Sequence, residues 1–220
     1  HRDLHSFPTR RSSDLTKNDH TLDDDHFSEE VFLRDYRDNP LALSYFYTAK
    51  LRSLYWFDYW DDALAMLDKA DMVASVAVSQ AKVPEIYFFA SLTVLACFER
   101  FTEAEWSRHK AMIAGYQEKM NIWAENSPDN FRHKHLLVEA ELARVEGRPW
   151  EALGLYEAAA EAARRSGYIN NEALAYECTA RFFLGLNMTR IATYYLAEAR
   201  YTFHKWGAKA KVRQLGRKYT

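Results

Sequence analysis

The chain has 220 residues, 48% of them hydrophobic, which is enough apolar material for a buried core and excludes wholesale disorder. A formal net charge of -2 excludes a general nucleic-acid binder, since such proteins need a broad positive surface to displace counterions from the phosphate backbone. No window is long and apolar enough to cross a bilayer, and the two cysteines, Cys97 and Cys178, sit far apart inside apolar helical patterns; membrane contact and a disulfide framework are therefore not expected, and the pattern fits reduced core thiols in a cytoplasmic chain.

In chain order, the opening HRDLHSFPTRRSSDL has scattered charge, Pro8 and no periodicity, and is expected to stay outside the fold. Its first four residues match the start of a protein-kinase catalytic loop, with Asp3 in the place of the residue that orients the substrate hydroxyl. Pro8, however, stands where such a loop carries its metal-holding Asn, and no Gly-rich loop precedes it. Residues 1–15 resemble a translated sequencing adapter, which would make the chain a fragment whose natural sequence starts near Thr16. The acidic stretch DHTLDDDHFSEE follows and reads as a linker or a solvated helix start, so residues 1–39 are expected to form a non-core leader and residues 40–219 a single helical-repeat domain.

From Pro40 onward the periodicity predicts eight main helices, near 41–58, 61–80, 84–99, 103–124, 131–146, 149–166, 169–185 and 189–206, and a short ninth from about 208. Pro84 fits a first helical turn, NSPDN at 126–130 and EGRP around Gly147 and Pro149 break the chain, and Gly207 fits a C-cap. A small-large-small marker recurs on one helical face: Ala63, Leu67, Ala70; then Ala152, Tyr156, Ala159; then Ala192, Leu196, Ala199. Ala104 and Ala111 keep the small positions of a further, degenerate copy whose middle is Arg108. Twelve and nine residues before each marker alanine stand Leu51 and Leu54, Leu92 and Leu95, Ala140 and Ala143, and Ala180 and Phe183, the inner stripe of a preceding helix. A single helical pair cannot cover its own apolar face, whereas stacked pairs can. The fold class expected is all-α: a tetratricopeptide-like α-solenoid of about four helix pairs plus a C-terminal capping helix.

Motifs for chemistry are scarce. There is no Gly-rich phosphate cradle, no HExxH, no paired cysteines at metal spacing and no Gly-x-Ser-x-Gly turn. His133 and His135 are two apart, so on a helix they diverge by about 200 degrees, and FRHKHLLVEAE reads as a solvated, salt-bridged surface. His135 and Glu139 share a face but two ligands do not make a zinc site. No catalytic residue, metal or cofactor is assigned. Among the aromatic residues, dense in SLYWFDYW (53–60) and IYFFASL (86–92), most are expected in the core; Tyr55, Trp56 and Tyr59 are the candidates for a groove contact with an apolar peptide anchor or for cementing the first repeat to a neighbouring domain. In the basic closing stretch YTFHKWGAKAKVRQLGRKYT, Arg200, Lys205, Lys209 and Lys211 are expected at the negative end of the eighth helix dipole. The ninth helix is expected to cap the last repeat with Ala208, Val212 and Leu215 inward and Lys209, Lys211 and Arg213 outward.

The runs NFRHKHLLVEAELARVEGR, NNEALAYECTARFFL and YYLAEARYTFHKWGAKAKVRQL resemble the helical-repeat region of very large bacterial signalling proteins. Those proteins combine a serine/threonine-kinase-like domain, an AAA-type ATPase, the repeat region, a GAF sensor domain and a C-terminal histidine kinase. The likeness spans residues 40–219. It implies a non-catalytic scaffold and protein-interaction region in a cytoplasmic two-component signal-transduction protein, whose parent is an ATP-dependent protein kinase with its catalytic sites outside these residues. The partners implied are neighbouring domains of the same polypeptide or another protein. The alternative is a free-standing tetratricopeptide-type adaptor that binds a partner peptide in its concave groove. A third reading, an enzyme built on the histidines and carboxylates of the fifth helix, fails because the helical spacing keeps them from converging.

Overall fold

A computed structural model describes residues 20–76 and 82–219, and every regular element within them is helical. The kinase-like and adapter-like readings of residues 1–15 lie outside the described residues. The described residues fall into two compact units, the first running through Ala96 and including Ala208–Lys218, the second comprising Cys97–Gly207.

The first unit opens with α1 (Glu29–Asp35) and α2 (Pro40–Trp56). Asn39 caps α2, its side chain accepting from the Ala42 N–H at 3.0 Å, and Pro40 occupies the first turn, where its missing N–H costs nothing. The predicted stripe residues Leu51 and Leu54 are buried. They belong to a core shared with α3 (Trp60–Ala65) and α4 (Leu67–Val76), where Ala63, Leu67 and Ala70 are buried as the marker predicts. One helix was expected over this stretch. The ladder tightens at Met66, whose N–H bonds to the Ala63 carbonyl at 3.1 Å, and resumes with Ala70 N–H on the Met66 carbonyl at 2.9 Å, so the two segments are separated by a single 3₁₀-like step. Next, α5 (Val83–Ala96) is apolar on all sides, with Ile86, Phe88, Phe89, Leu92 and Leu95 fully enclosed.

Residues 20–39, expected to lie outside the core, are fastened to α2. Lys50 donates to both carboxylate oxygens of Glu29 (2.7 and 2.9 Å) and to the His20 carbonyl (2.8 Å), and the Phe32 ring stacks on Phe46 with centroids 5.6 Å apart. Lys50 itself is buried, a charge that its carboxylate partner makes tolerable.

The second unit holds a 3₁₀ turn (Phe98–Arg100), then α6 (Glu103–Asn126), α7 (Pro128–Val145), α8 (Pro149–Arg165), α9 (Ile169–Gly185) and α10 (Thr189–Trp206). A reciprocal capping box starts α6: Thr102 Oγ1 accepts from the Glu105 N–H, and the Glu105 carboxylate accepts from the Thr102 N–H. Ser127 alone separates α6 from α7, and Pro128 begins the latter, three residues before the sequence suggested. Antiparallel neighbours α7/α8, α8/α9 and α9/α10 then follow through one repeated turn. The chain takes a positive φ at Gly147 (71°), Gly167 (78°) and Asn187 (60°), each twenty residues after the last. Each turn is closed by a bond from the next residue's N–H to the carbonyl five positions back: Arg148 to Ala143 (2.8 Å), Tyr168 to Ala163 (2.9 Å) and Met188 to Phe183 (2.8 Å). This is the Schellman closure, which requires a left-handed residue after the helix. Gly207 (88°) ends α10, as expected of a C-cap. In the first unit Asp58 (64°) makes the same turn, with Tyr59 N–H on the Leu54 carbonyl at 2.9 Å.

The stripes fill this frame. Ala140, Ala143, Ala152, Tyr156, Ala159, Ala180, Phe183, Ala192 and Ala199 are buried; Leu196 is half-buried. The degenerate marker is corrected: Ala104, Arg108 and Ala111 are exposed, and α6 turns Ile113, Tyr116, Met120 and Ala124 inward instead. Two alanines around an arginine supply little apolar area, so the larger side chains on the other face set the rotation of this helix.

At Ala208 the chain returns to the first unit with α11 (Lys209–Lys218), the C-terminal capping helix; expected to cover the last repeat, it is bonded instead to Trp56 and Asp58 of the first unit. Ala208 and Leu215 are buried as expected and Val212 is half-buried. Lys211, assigned from sequence to the outer polar face, is corrected: it is 1% exposed, its stem enclosed and its ammonium bonded to the Trp56 carbonyl. The expected all-α arrangement of helix hairpins with a capping helix is thus present.

Candidate interaction sites

Of the three aromatic candidates, Tyr55 and Trp56 face inward, with 1% and 3% of their surface accessible; the Tyr55 ring lies 5.8 Å from Phe89. Tyr59 is 36% exposed, and its ring meets the edge of His20 at 4.8 Å. His20 also reaches Asp62, Nε2 to Oδ2 at 2.8 Å. Around the same corner α11 docks by polar contacts. Asp58 Oδ2 accepts from Gln214 (2.7 Å) and Lys218 (2.8 Å), and the Lys218 ammonium lies 5.4 Å from the centre of the Trp60 ring. The left-handed backbone at Asp58, uncommon outside glycine, therefore presents a carboxylate that anchors the capping helix.

The second unit encloses titratable groups in two places. In the first, Glu141 accepts from Tyr156 Oη at 2.6 Å and from Arg144 Nε and Nη2 at 2.9 and 2.7 Å. Arg181 stands close by, donating to Cys178 Sγ at 3.1 Å and pairing with Glu177 at 3.5 Å. Burial pushes the Glu141 carboxyl up, but Arg144 and Arg181 with the Tyr156 bond outweigh it and hold it below its usual range. Burial and the facing Glu141 push the Tyr156 hydroxyl well above its ordinary value. The Glu141 carboxylate is taken up by Arg144 and Tyr156, so the cluster ties α7, α8 and α9 together around a carboxylate already engaged from both oxygens.

In the second place the sequence reading is corrected. His133 and Lys134 are buried, 2% and 5% exposed, where a solvated helix face was expected. Asn171 Nδ2 donates to His133 Nε2 at 2.8 Å, while its Oδ1 accepts from Asn170 at 3.0 Å; the Tyr168 ring covers the imidazole at 4.4 Å. These partners come from α9 and the turn before it, which no local pattern in α7 reveals. Burial, then the neighbouring Lys134 charge, hold the His133 pKa well below 6.5. His135 points elsewhere, with its ring Nδ1 3.1 Å from Gln117 Nε2, which also donates to Glu139 at 2.7 Å. Among the described residues no three His, Cys, Asp or Glu side chains are grouped to hold a metal ion, and no helix is long and apolar enough to cross a membrane. Cys97 and Cys178 are buried thiols.

Among the described residues the most exposed large apolar side chains lie elsewhere. Trp150, at the start of α8, is 85% exposed, and α10 presents Tyr194 at 61% and Tyr201 at 67%. Their signal is positional: each falls outside the marker phase of its own helix, so the marker that finds the core also predicts them outward.

Compared with known families, residues 34–195 match one described as "CHK1-like, TPR repeats", a stretch covering well over half of the chain. The chain matched no curated protein and no solved structure.

Proposed function

The chain belongs to the CHK1-like family of tetratricopeptide repeats, and from this we propose that it is a non-catalytic scaffold and protein-interaction region of a multidomain bacterial signalling protein with ATPase and histidine-kinase modules. The supporting observation is the twenty-residue turn phase at Gly147, Gly167, Asn187 and Gly207, which stacks consecutive helices on small-residue stripes, with the buried Glu141 carboxylate taken up by Arg144 and Tyr156. Such a frame constrains or passes on movement through its contacts and does no bond chemistry. In this reading the repeat region spans residues 40–219, works in the cytoplasm, and meets neighbouring domains of its own polypeptide or a partner protein. Tyr55 and Trp56 cement the interior of the first unit, and Tyr59 is the member of the trio available to a partner.

Sequencing the source gene on both sides tests the proposal. Reading frames that continue into ATPase and histidine-kinase domains support it; stop codons bounding this segment overturn it and leave a free-standing adaptor.

A further inference from the structure

We propose that the outward face of α10 docks an acidic peptide segment of a partner protein carrying an apolar anchor. The inference rests on the interaction-module reading and names the surface and the chemistry of its partner. Arg190, Tyr194, Ala197, Tyr201 and Lys205 follow one another at helical spacing, and all five are exposed. Ile191, 37% exposed, flanks the row. The opposite face carries Ala192, Ala199, Phe203 and Trp206 into the core, and Tyr194, whose ring touches that of Tyr195 with centroids 5.3 Å apart, still leaves 61% of its surface exposed, as Tyr201 leaves 67%. Tyr195 shows the contrast: it stacks on Phe183 with ring centroids 5.5 Å apart and donates to Glu157. Tyr194 and Tyr201 stand at either side of Ala197, whose small side chain leaves a notch for one aliphatic or aromatic anchor between two rings.

Charge selects the partner. Arg190, Arg200 and Lys205 have no ion-pair partner among the described residues, and the single carboxylate of α10, Glu198, is half-buried. On α8 the exposed Glu151 and Glu161 are paired with Arg148 and Arg164, and the Glu157 carboxylate accepts from Tyr195, whose side chain leaves α10 about 100 degrees away from that of Tyr194 and so off the row. The α10 face therefore displays unmatched positive charge at both ends of an apolar middle, Arg190 and Lys205 being about 22 Å apart along the axis. A partner with carboxylates flanking one apolar anchor complements it. A second copy does not, since two α10 faces would oppose charges of the same sign. Nucleic acid is a poorer fit, because it carries a charge about every 1.7 Å and meets only three cations here.

The test is selection of a displayed library of random 16-residue peptides against the chain, followed by fluorescence anisotropy with the enriched peptides. The expected result is enrichment of acidic peptides with a Leu, Phe or Trp, at least tenfold weaker binding to Tyr194→Ala/Tyr201→Ala and to Arg190→Glu/Lys205→Glu, and loss of affinity with added salt. Circular dichroism of both variants matches the parent. Enriched peptides that lack acidic residues, or that bind both variants within twofold of the parent, overturn the α10 site while the interaction-module reading stands; no enrichment at all removes both. Binding of a 20-nucleotide oligouridine through the same residues, or self-association abolished by the same substitutions, replaces the peptide with another occupant and overturns the proposal.

Discussion

Lys211 of α11 donates its ammonium hydrogen to the main-chain carbonyl of Trp56, the last residue of α2, across 155 positions of sequence. The final carbonyls of a helix have no partner within it and carry the negative end of its dipole, so a buried cation is well matched there. The lysine stem is enclosed with Leu215 and Ala210, and two residues past Trp56 the Asp58 carboxylate holds Gln214 and Lys218. The C-terminal helix is thereby clamped to one corner of the first unit through a carbonyl and a carboxylate.

Replacing Lys211 separates the stem from the charge. Lys211→Ala loses packing and a charged hydrogen bond and is expected to cost about 2 to 4 kcal/mol. Lys211→Met keeps most of the stem and removes the need to bury a charge, so its cost falls to about 1 kcal/mol. Urea unfolding of the two variants checks the order; equal stability of Lys211→Ala and the parent would mean that this contact contributes nothing to the fold.

The Glu141 cluster calls for a different comparison. Arg144→Met leaves a buried carboxylate without its two-pronged partner, an expected loss of about 3 to 5 kcal/mol. Tyr156→Phe removes one neutral donor and costs about 1 kcal/mol. Adding Glu141→Gln to Arg144→Met removes the stranded charge, so the double variant is expected to be more stable than Arg144→Met alone. Chemical denaturation of the three variants decides it, and a double variant less stable than Arg144→Met would show that Arg181 already compensates Glu141 in the single variant.

Much of this interior was legible from local pattern. Leu51, Leu54, Leu92, Leu95, Ala140, Ala143, Ala180 and Phe183 were assigned inward by counting from the marker alanines, and all are buried. The count works because side-chain direction repeats with the helical period whatever the neighbours are. It failed at Ala104 and Ala111, where small residues alone do not outweigh Ile113, Tyr116 and Met120 on another face. Lys211 and His133 were unreadable for another reason: their burial depends on partners 155 and 38 positions away, Trp56 and Asn171, and polar residue type alone points outward. The turn residues lay between these cases. Gly147 and Gly207 are legible from their neighbours, while Gly167 and Asn187 complete a twenty-residue phase that emerges only when the four positions are taken together. The densest aromatic run holds Tyr55, Trp56 and Tyr59, but exposure depends on helical phase and, among the described aromatic residues, is greatest at Trp150, Tyr194 and Tyr201.

Two glycines of α8 and its following turn should respond in opposite directions to the same substitution. Gly154 lies within the helix with open space around its missing side chain, so Gly154→Ala removes backbone freedom from the unfolded chain and is expected to stabilise by about 0.5 to 1 kcal/mol. Gly167 also has open space, but its φ of +78° disfavours any Cβ, and Gly167→Ala is expected to destabilise by about 1 kcal/mol. Thermal melts of the pair check the sign; stabilisation by both would show that the turn relaxes without a left-handed residue.

His133 sets an acid limit on the second unit. Its Nε2 accepts from Asn171, and adding a proton there would turn an N–H against an amide N–H while placing a charge under Tyr168 and beside Lys134. Burial and Lys134 keep the folded-state pKa well below the 6.5 of an unperturbed histidine. Above pH 6.5 both folded and unfolded chains hold this residue neutral, and it adds no pH dependence. As the pH falls below 6.5 the unfolded chain takes up a proton that the folded chain refuses, so stability falls, with a limiting slope of about 1.4 kcal/mol per pH unit and a loss of up to about 2 kcal/mol by pH 5. His135, whose pKa burial also lowers, contributes in the same direction. His133→Gln is expected to flatten the decline between pH 7.5 and 5 relative to the parent, whatever its effect at neutral pH. Urea denaturation at both pH values gives the two differences. An identical decline in the variant would mean that folded His133 binds a proton as readily as the unfolded chain does, which the Asn171 bond and the Tyr168 cover do not allow.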